Sequence, residues 1–497
     1  MRPTGEWIEI SKNQIMYSAS DNSLLEHLED YVNVYDIMIP GDDCEINLGI
    51  RRLNDTIYSS NYVGICRLKN TAGKNMRTKD GSKEVIFKIE PRFDISVVEM
   101  LNEIKDDDEF ERYLAPQTVN INSHEKNVEE LERNEVFHFF DDEDPIHITD
   151  NIARDSSILT STVFISMLRN LCKRPLMGRM ICREENLIGK VKGKILFSKN
   201  IKKNTTRGRD DRIFCRYLTY SEDIIENQIL KAALVKVSQF LNKYFRNATA
   251  KSNYGELIAF CTKSLEHISK VSITAKDARA IKVSGCYAYY KPVISVAKMV
   301  LNEITVESNG SPKFTSYVVP YAVSMSKLFE MYVRAKLKKC GVKSYLQTES
   351  GIHIEKYDYK TKVFKQNEKN TGNYISGIIK PDIILRNDET EKIMVFDVKY
   401  KKLSQRKRAR NDRLQLLAYA LMYNCDDIGI VFPTENKDSQ NEKSYYYEKH
   451  KIESIEHRDR FYHQLELYIG TDSSTMLSSK DDKENIDIFN YVKQFIC

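Results

Sequence analysis

The sequence predicts an α/β protein: an α+β N-terminal region rich in strands, a mainly helical middle segment, and an α/β core toward the C-terminus. Three observations predict it. "NYVGICRL" (61–68) and "EVIFKIEPRF" (84–93) alternate apolar and polar residues, as half-buried strands do. "DIIENQILKAALVKVSQFLNKYF" (223–245) has apolar residues at three- and four-residue spacing, with Ile225, Ile229, Ala232 and Ala233 on one stripe. From about 318 to 434 the order helix, strand, strand, helix, strand reads as an α/β core. The expected divisions are 1–150, 151–305, 306–440 and a helical tail over 441–497.

In the first division, "KNTAGKNMRTKDGSK" separates the two strands. It is long for a hairpin loop, polar and basic, and reads either as a projecting contact loop or as a plain insertion. "DDEDP" reads as the linker that ends this region. In the middle segment "STVFISMLRNLC" (161–172) predicts another helix. "VKGKILFSKNI" and "RIFCRYLTY" predict strands, and "YAYYKPVISVAKMVLNE" (287–303) a helix beginning near Pro292.

The core opens with a helix over Tyr321–Lys339, stopped by Gly341. "IHIEKY" predicts a strand, and "KPDIILRNDETEKIMVFDVKYKK" (380–402) two more with a turn. A helix through "RLQLLAYALMY" places Leu414, Leu417, Ala418, Leu421 and Met422 on a core stripe. "IGIVFP" reads as a buried strand ended by Pro433, and a last helix is expected near "HRDRFYHQLELYIG".

Composition bounds the function. The chain has 497 residues, 41% hydrophobic and 30% charged, which suits a soluble globular protein. No 18-residue apolar run predicts a membrane span. "MRPTGEWIEISKN" lacks the apolar run of a signal peptide, so a cytoplasmic location is expected. None of the 10 cysteines forms a CxxC pair, which argues against a zinc site and a disulfide framework. The net charge of +5 says little, but its distribution says more. Lys399–Arg413 holds eight basic residues and one acid, and Lys190–Arg212 holds nine basic residues. Such patches suit a polyanion, or else solvated loops.

The chemistry gathers in the 380–402 stretch. A turn centred between Glu389 and Thr390 would set Asp382 opposite Asp397, about 4.5–5.5 Å apart at Cβ. Lys399 then shares that face, while Met394, Phe396 and Val398 form an apolar row on the other. Two carboxylates so close repel unless a cation neutralises them. Carboxylate, carboxylate, lysine and a hard divalent ion are what phosphodiester hydrolysis requires. The competing reading is a surface hairpin with a cross-strand Asp–Lys pair. Glu330 is either a third acid at the metal or a surface partner of Arg334 at i+4. Gln415, on a strip with Asp412 and Tyr419, either fixes a water or the lysine, or faces solvent.

"KPDII…VFDVKYK…DRLQLLAYAL" resembles the PD-(D/E)xK nuclease superfamily in its McrC branch. "KGKILFSKNI…RIFCRYLTYSEDIIENQILKAAL", "YYKPVISVAKMVLNE" and "MSKLFEMYV" are similar to that family in order and spacing, so the likeness covers roughly 160–434. "YVGICRL…FKIEPRF" resembles the longer McrC-like and LlaJI-type subunits. The resemblance implies a restriction-endonuclease-like core and a Mg²⁺-dependent DNA endonuclease of an antiviral restriction system, with Mn²⁺ able to substitute. It implies Asp382 and Asp397 as metal ligands, the Val398 carbonyl as a further ligand, and Lys399 as catalytic lysine. Gln415 and Glu330 match further site positions. It also implies a partner, an McrB-like AAA+ GTPase ring that the N-terminal region contacts and stimulates. No GxxxxGK[ST] sequence occurs, so this chain is not itself the motor. Double-stranded DNA is the expected substrate, gripped by Lys401, Lys402, Arg406, Lys407, Arg408, Arg410 and Arg413. The alternatives are a non-catalytic activator of a ring NTPase, or a stand-alone repair nuclease of the same superfamily.

Overall fold

A computed structural model describes most of residues 5–104, 136–354 and 381–468. The described chain forms two units: residues 1–149 with 319–497, and residues 150–318. The first unit begins with strands β1 (Glu6–Ser11) and β2 (Gln14–Ser20), followed by β3 (Tyr62–Arg67) and β4 (Glu84–Glu90). β2 and β4 run parallel; β3 and β4 are antiparallel. Both expected strands are present but more deeply buried than simple alternation implies. Ile65, Cys66, Val85, Ile86 and Phe87 are all buried, so β3 and β4 are covered on both faces. The polar loop between them folds back on itself: Asn70 Oδ1 caps the amides of Ala72 and Lys74, and bridges pair Lys69 with Asn75 and Arg77 with Glu84. Helix α1 (Val97–Ile104) and strand β5 (Phe137–Phe139) follow.

The second unit is built on helices α2 (Asp150–Cys172), α4 (Ile225–Tyr244), α5 (Ala248–Ser264) and α6 (Tyr290–Glu303), with α3 (Phe197–Lys203) between strands. Pro292 lies in the first turn of α6, as expected. Buried Tyr290 accepts a 2.7 Å hydrogen bond from the Met177 amide and donates to Asn227 Oδ1 at 3.0 Å, tying α6 to α4. Strands β6 (Arg179–Ile188) and β8 (Arg212–Ser221) form a long antiparallel pair, with β7 (Lys194–Ile195) beside β8. "VKGKILFSKNI" therefore holds only a two-residue strand, and its end, from Phe197, is helix. Lys199 and Arg216 both reach Glu184, so part of the first basic run is spent on ion pairs.

The chain returns to the first unit at strand β9 (Tyr321–Ser324), which precedes helix α7 (Met325–Lys339). The first turn of the expected helix is thus a strand. β9 lies between β3 and β5 in a six-stranded sheet, in the order β1-β2-β4-β3-β9-β5. Gly64 permits the pairing: its φ is +148°, and a Cβ there would lie 2.1 Å from the Tyr321 carbonyl oxygen. Gly341 lies outside the described residues.

The second sheet of this unit comprises β10 (Lys343–Ser344), β11 (Ile352–Ile354), β12 (Ile383–Asn387), β13 (Ile393–Val398), β14 (Asp427–Thr434), β15 (Tyr445–Ile452) and β16 (Arg460–Tyr468). Its order is β10-β11-β12-β13-β14-β16-β15. β13 is antiparallel to β12 and parallel to β14, and helix α8 (Arg406–Tyr423) makes the crossover between the parallel pair. The helical tail expected past 441 is corrected: Tyr445–Ile452 and Arg460–Tyr468 are strands of this sheet, and His463 and Leu465 are buried with period two. Pro433 sits inside β14 rather than ending it. The α8 stripe is also corrected. Leu416, Tyr419 and Ala420 pack on Ile384, Val395, Ile428 and Ile430; of the expected stripe Leu417 packs against them partly buried, whereas Leu414 and Leu421 are exposed.

Candidate metal and phosphodiester site

The site forms where β12 and β13 end together. Their register pairs Ile383 with Phe396 and Arg386 with Ile393. Carried one residue further, it sets Asp382 opposite Asp397, as the sequence predicts. The turn itself, 388–392, lies outside the described residues. Gly429 of β14 lies opposite Phe396, and a Cβ there would stand 2.2 Å from the Phe396 ring. Glycine lets the two strands keep their apolar row tight beneath the charges.

Asp397 is buried, and Lys399 Nζ lies 2.7 Å from its Oδ2. Asp382 Oδ2 accepts a 2.7 Å hydrogen bond from the Val398 amide. Burial, then the charges of Glu330 and Asp397, hold the Asp382 carboxyl well above the ordinary carboxylate range. Burial raises Asp397 too, against the opposing pull of Lys399. Burial would lower Lys399, but Asp397, Asp382 and Asp412 outweigh it and raise the ammonium's pKa.

Helix α7 supplies the second wall. Glu330 is buried, not a surface residue, and it does pair with Arg334 at 3.5 Å as well as with Lys327 at 2.9 Å. Both sequence readings of Glu330 are therefore partly met: it has its i+4 cation, and its charge acts on Asp382. Arg334, which the sequence does not single out for the site, is buried and donates from Nη2 to the Asp382 carbonyl at 2.6 Å. Its signal is weak: a lone arginine among Leu328, Phe329, Val333 and Leu337, which are all buried.

Helix α8 supplies the third. Gln415 is exposed and donates to Tyr419 Oη at 2.7 Å. Burial, then Asp397 and Asp382, raise the pKa of Tyr419. Gln415 thus borders the carboxylates through Tyr419. The basic stretch is not the loop the sequence suggests, because α8 already begins at Arg406. Lys401 pairs with the largely buried Asp412, so its charge is committed inside the fold rather than presented to solvent. Arg413 is exposed, Arg406, Lys407, Arg408 and Arg410 lie in the first turns of α8, and Lys402 lies outside the described residues.

A family model described as McrBC 5-methylcytosine restriction system component matches residues 113–433, well over half of the chain. The chain belongs to that family. No curated protein matches it. Among solved structures, it is similar to a chain of a half-complex from a tetradecameric assembly of Thermococcus gammatolerans McrB AAA+ hexamers with bound McrC. That likeness has 15% identity and a TM-score of 0.39, covering 96% of this chain and 100% of that one. It is also similar to a chain of the Thermococcus gammatolerans McrBC complex, at 13% identity and a TM-score of 0.27, covering 62% and 77% of the two chains.

The carboxylate cluster of this McrBC-family chain fits a hard divalent ion in its chemistry. It offers oxygen donors only; burial raises the pKa of both aspartates, and the charges of Glu330 and Asp397 add to the rise at Asp382. Among the described residues no three His, Cys, Asp or Glu side chains close into a complete cage. Mg²⁺ does not need one, since it keeps several waters and takes one or two carboxylates plus phosphate oxygens. No helix of the described residues is long and apolar enough to cross a membrane.

Proposed function

We propose that this chain is the DNA-cutting subunit of an McrBC-like restriction complex, with a PD-(D/E)xK core. It acts as a Mg²⁺-dependent endonuclease, with Mn²⁺ able to substitute, and stimulates a partner AAA+ GTPase ring of McrB type. One observation carries this: Asp382, Asp397 and Lys399 converge at one end of a hairpin, with Glu330 acting on Asp382 from the facing helix. Membership of a restriction-system family supports it. The absence of a Walker A sequence leaves the motor to another component.

Asp382 and Asp397 would hold the ion, with the Val398 carbonyl as a further ligand. Bound there, the ion would acidify a water and polarise a phosphoryl oxygen. Lys399, kept charged by its carboxylate neighbours, stabilises negative charge that develops on the phosphate rather than taking a proton. Arg334 holds the Asp382 backbone in place. Gln415, oriented by Tyr419, orders water on the open side. Arg413 and the cationic first turns of α8 lie along the sequence that follows the hairpin and would contact the phosphates of double-stranded DNA. A non-catalytic activator would have no use for a buried, mutually repelling pair of aspartates, whose charge costs stability.

The test is cleavage by the chain mixed with its ring partner, GTP, Mg²⁺ and methylated or plain DNA. Asp397→Ala is expected to abolish cutting and to leave partner binding intact. Cutting that survives the substitution would overturn the assignment.

A further inference from the structure

The second-to-last residue of the "FKIEPRF" segment of the N-terminal region has an unusual reach. Arg92 follows β4 by two residues and donates from Nη1 to the backbone carbonyl of Tyr400 at 3.0 Å, across 308 positions of sequence. Tyr400 is the residue after Lys399. The guanidinium also lies 5.5 Å from the centroid of the Tyr400 ring. Next to it, the Phe93 ring meets the Tyr400 ring edge-on at 5.2 Å. The ring of Phe329, the neighbour of Glu330, lies 6.2 Å from the Tyr400 ring, centroid to centroid.

The N-terminal sheet holds Arg92 firmly. Its side chain is 8% exposed and stands 3.4 Å from Asp21, whose side chain is fully buried. The Asp21 amide donates to the Glu90 carbonyl at 2.8 Å, which continues the parallel β2–β4 pairing and brings Asp21 beside Arg92. Arg92 Nη2 donates to Asn61 Oδ1 at 3.3 Å, and the Asn61 carbonyl accepts from the Met325 amide at 2.8 Å. Met325 is the first residue of α7, the helix of Glu330 and Arg334. One buried cation therefore touches the chain beside Lys399 and, through Asn61, the start of the helix that forms the facing wall. A second tie runs parallel to it: Glu103 of α1 pairs with buried Lys336 of α7 at 3.2 Å.

We propose that Arg92 is a positioning residue for the nuclease centre, through which the N-terminal sheet sets the placement of Lys399 against Glu330 and Asp382. This inference rests on the nuclease reading above. A buried arginine fork suits the task. It hydrogen-bonds a carbonyl and an amide oxygen and forms an ion pair with a carboxylate at once. A displacement of about 1 Å at a catalytic group can cost roughly 100-fold in rate. An N-terminal region that binds a partner would thus be wired to the cutting site by short, buried contacts rather than by a linker.

The experiment uses the full chain with its ring partner, GTP, Mg²⁺ and DNA, and compares wild type, Arg92→Met, Arg92→Lys and Asp21→Asn. Arg92→Met is expected to lower kcat for cleavage about 10- to 100-fold, with KM for DNA and partner binding unchanged. Arg92→Lys keeps the charge and one donor and recovers part of the rate. Asp21→Asn loosens the arginine without removing it and gives a smaller loss, which covers the case in which Arg92→Met folds poorly. Hydrogen exchange supplies a readout independent of catalysis. The Lys399 and Lys401 amides, bonded to the Val431 and Lys399 carbonyls, are expected to exchange faster in Arg92→Met, while β14 amides keep their protection. A wild-type chain that never cuts overturns the nuclease reading, and the exchange data still decide the tether. A wild-type chain that cuts, with Arg92→Met and Asp21→Asn cutting at the same kcat or with unchanged exchange at 399–401, overturns the role of Arg92 alone. Equal loss of rate and of global stability, with no recovery in Arg92→Lys, also overturns it, since it reports a folding role.

Discussion

Asp382 accepts a 2.7 Å hydrogen bond from the backbone amide of Val398, the residue that follows Asp397. The bond locks the two strand ends together and fixes one carboxylate in the field of the other. Without a cation that arrangement costs stability, because burial and two like charges raise the Asp382 pKa. Asp382→Asn keeps an oxygen for the Val398 amide and removes the repulsion. Its Tm in the absence of divalent ions is expected to rise by roughly 2–4 °C. Added Mg²⁺ should stabilise the wild type and not the variant, and cleavage should be lost. A thermal melt with and without Mg²⁺ checks all but the last, and a lower Tm for the variant would refute the repulsion.

Arg334 holds the Asp382 carbonyl at 2.6 Å and lies 3.5 Å from Glu330, all in a buried setting. Arg334→Leu removes the cation, so the Asp382 carbonyl loses its donor and Glu330 keeps Lys327 but has one cation fewer. A loss of about 3 kcal/mol is expected, read by urea denaturation. Arg334→Lys should recover only part of it, because a lysine cannot supply the same fork.

The hairpin register was legible because two short strands with alternating faces and polar residues between them admit few pairings, and a one-residue slip would bury the charges among Met394 and Phe396. Other elements were not legible, and the reasons are physical. "YAVSMSKLFEMYV" has helical spacing throughout, yet its first four residues form β9, because Gly64 and Phe137–Phe139 offer strand edges that local propensity cannot see. In α8 two apolar stripes compete, and the leucine-rich one turns only Leu417 to the core and leaves Leu414 and Leu421 exposed. Arg334 and Arg92 act on backbone carbonyls 48 and 308 positions away, and no pattern in the sequence announces such contacts.

Gly429 stands against the Phe396 ring in the strand that carries Asp397. Gly429→Ala would place a Cβ inside that ring's contact distance and push β13 and β14 apart. A destabilisation of about 1–3 kcal/mol is expected. Gly429→Ala with Phe396→Leu should lose less than the sum of the two single changes, since the smaller side chain makes room. Additive losses in a double-mutant cycle would show that the glycine serves some other need.

The cationic residues after the hairpin should divide into two kinds. Lys401 is paired with largely buried Asp412, whereas Arg413 is exposed and Arg406, Lys407, Arg408 and Arg410 open helix α8. Each arginine or lysine that neutralises a DNA phosphate releases counterions, so its removal lowers the slope of log K against log salt by about 0.9. Replacing Arg406, Arg410 and Arg413 with glutamine is expected to weaken DNA binding and flatten that slope, with little change in Tm. Lys401→Met should do the reverse. It strands a carboxylate inside the fold, so Tm falls while the salt slope stays as in the wild type. Binding isotherms at several salt concentrations, with a melt of each variant, separate the two. A wild-type slope in the triple variant would remove α8 from the DNA interface.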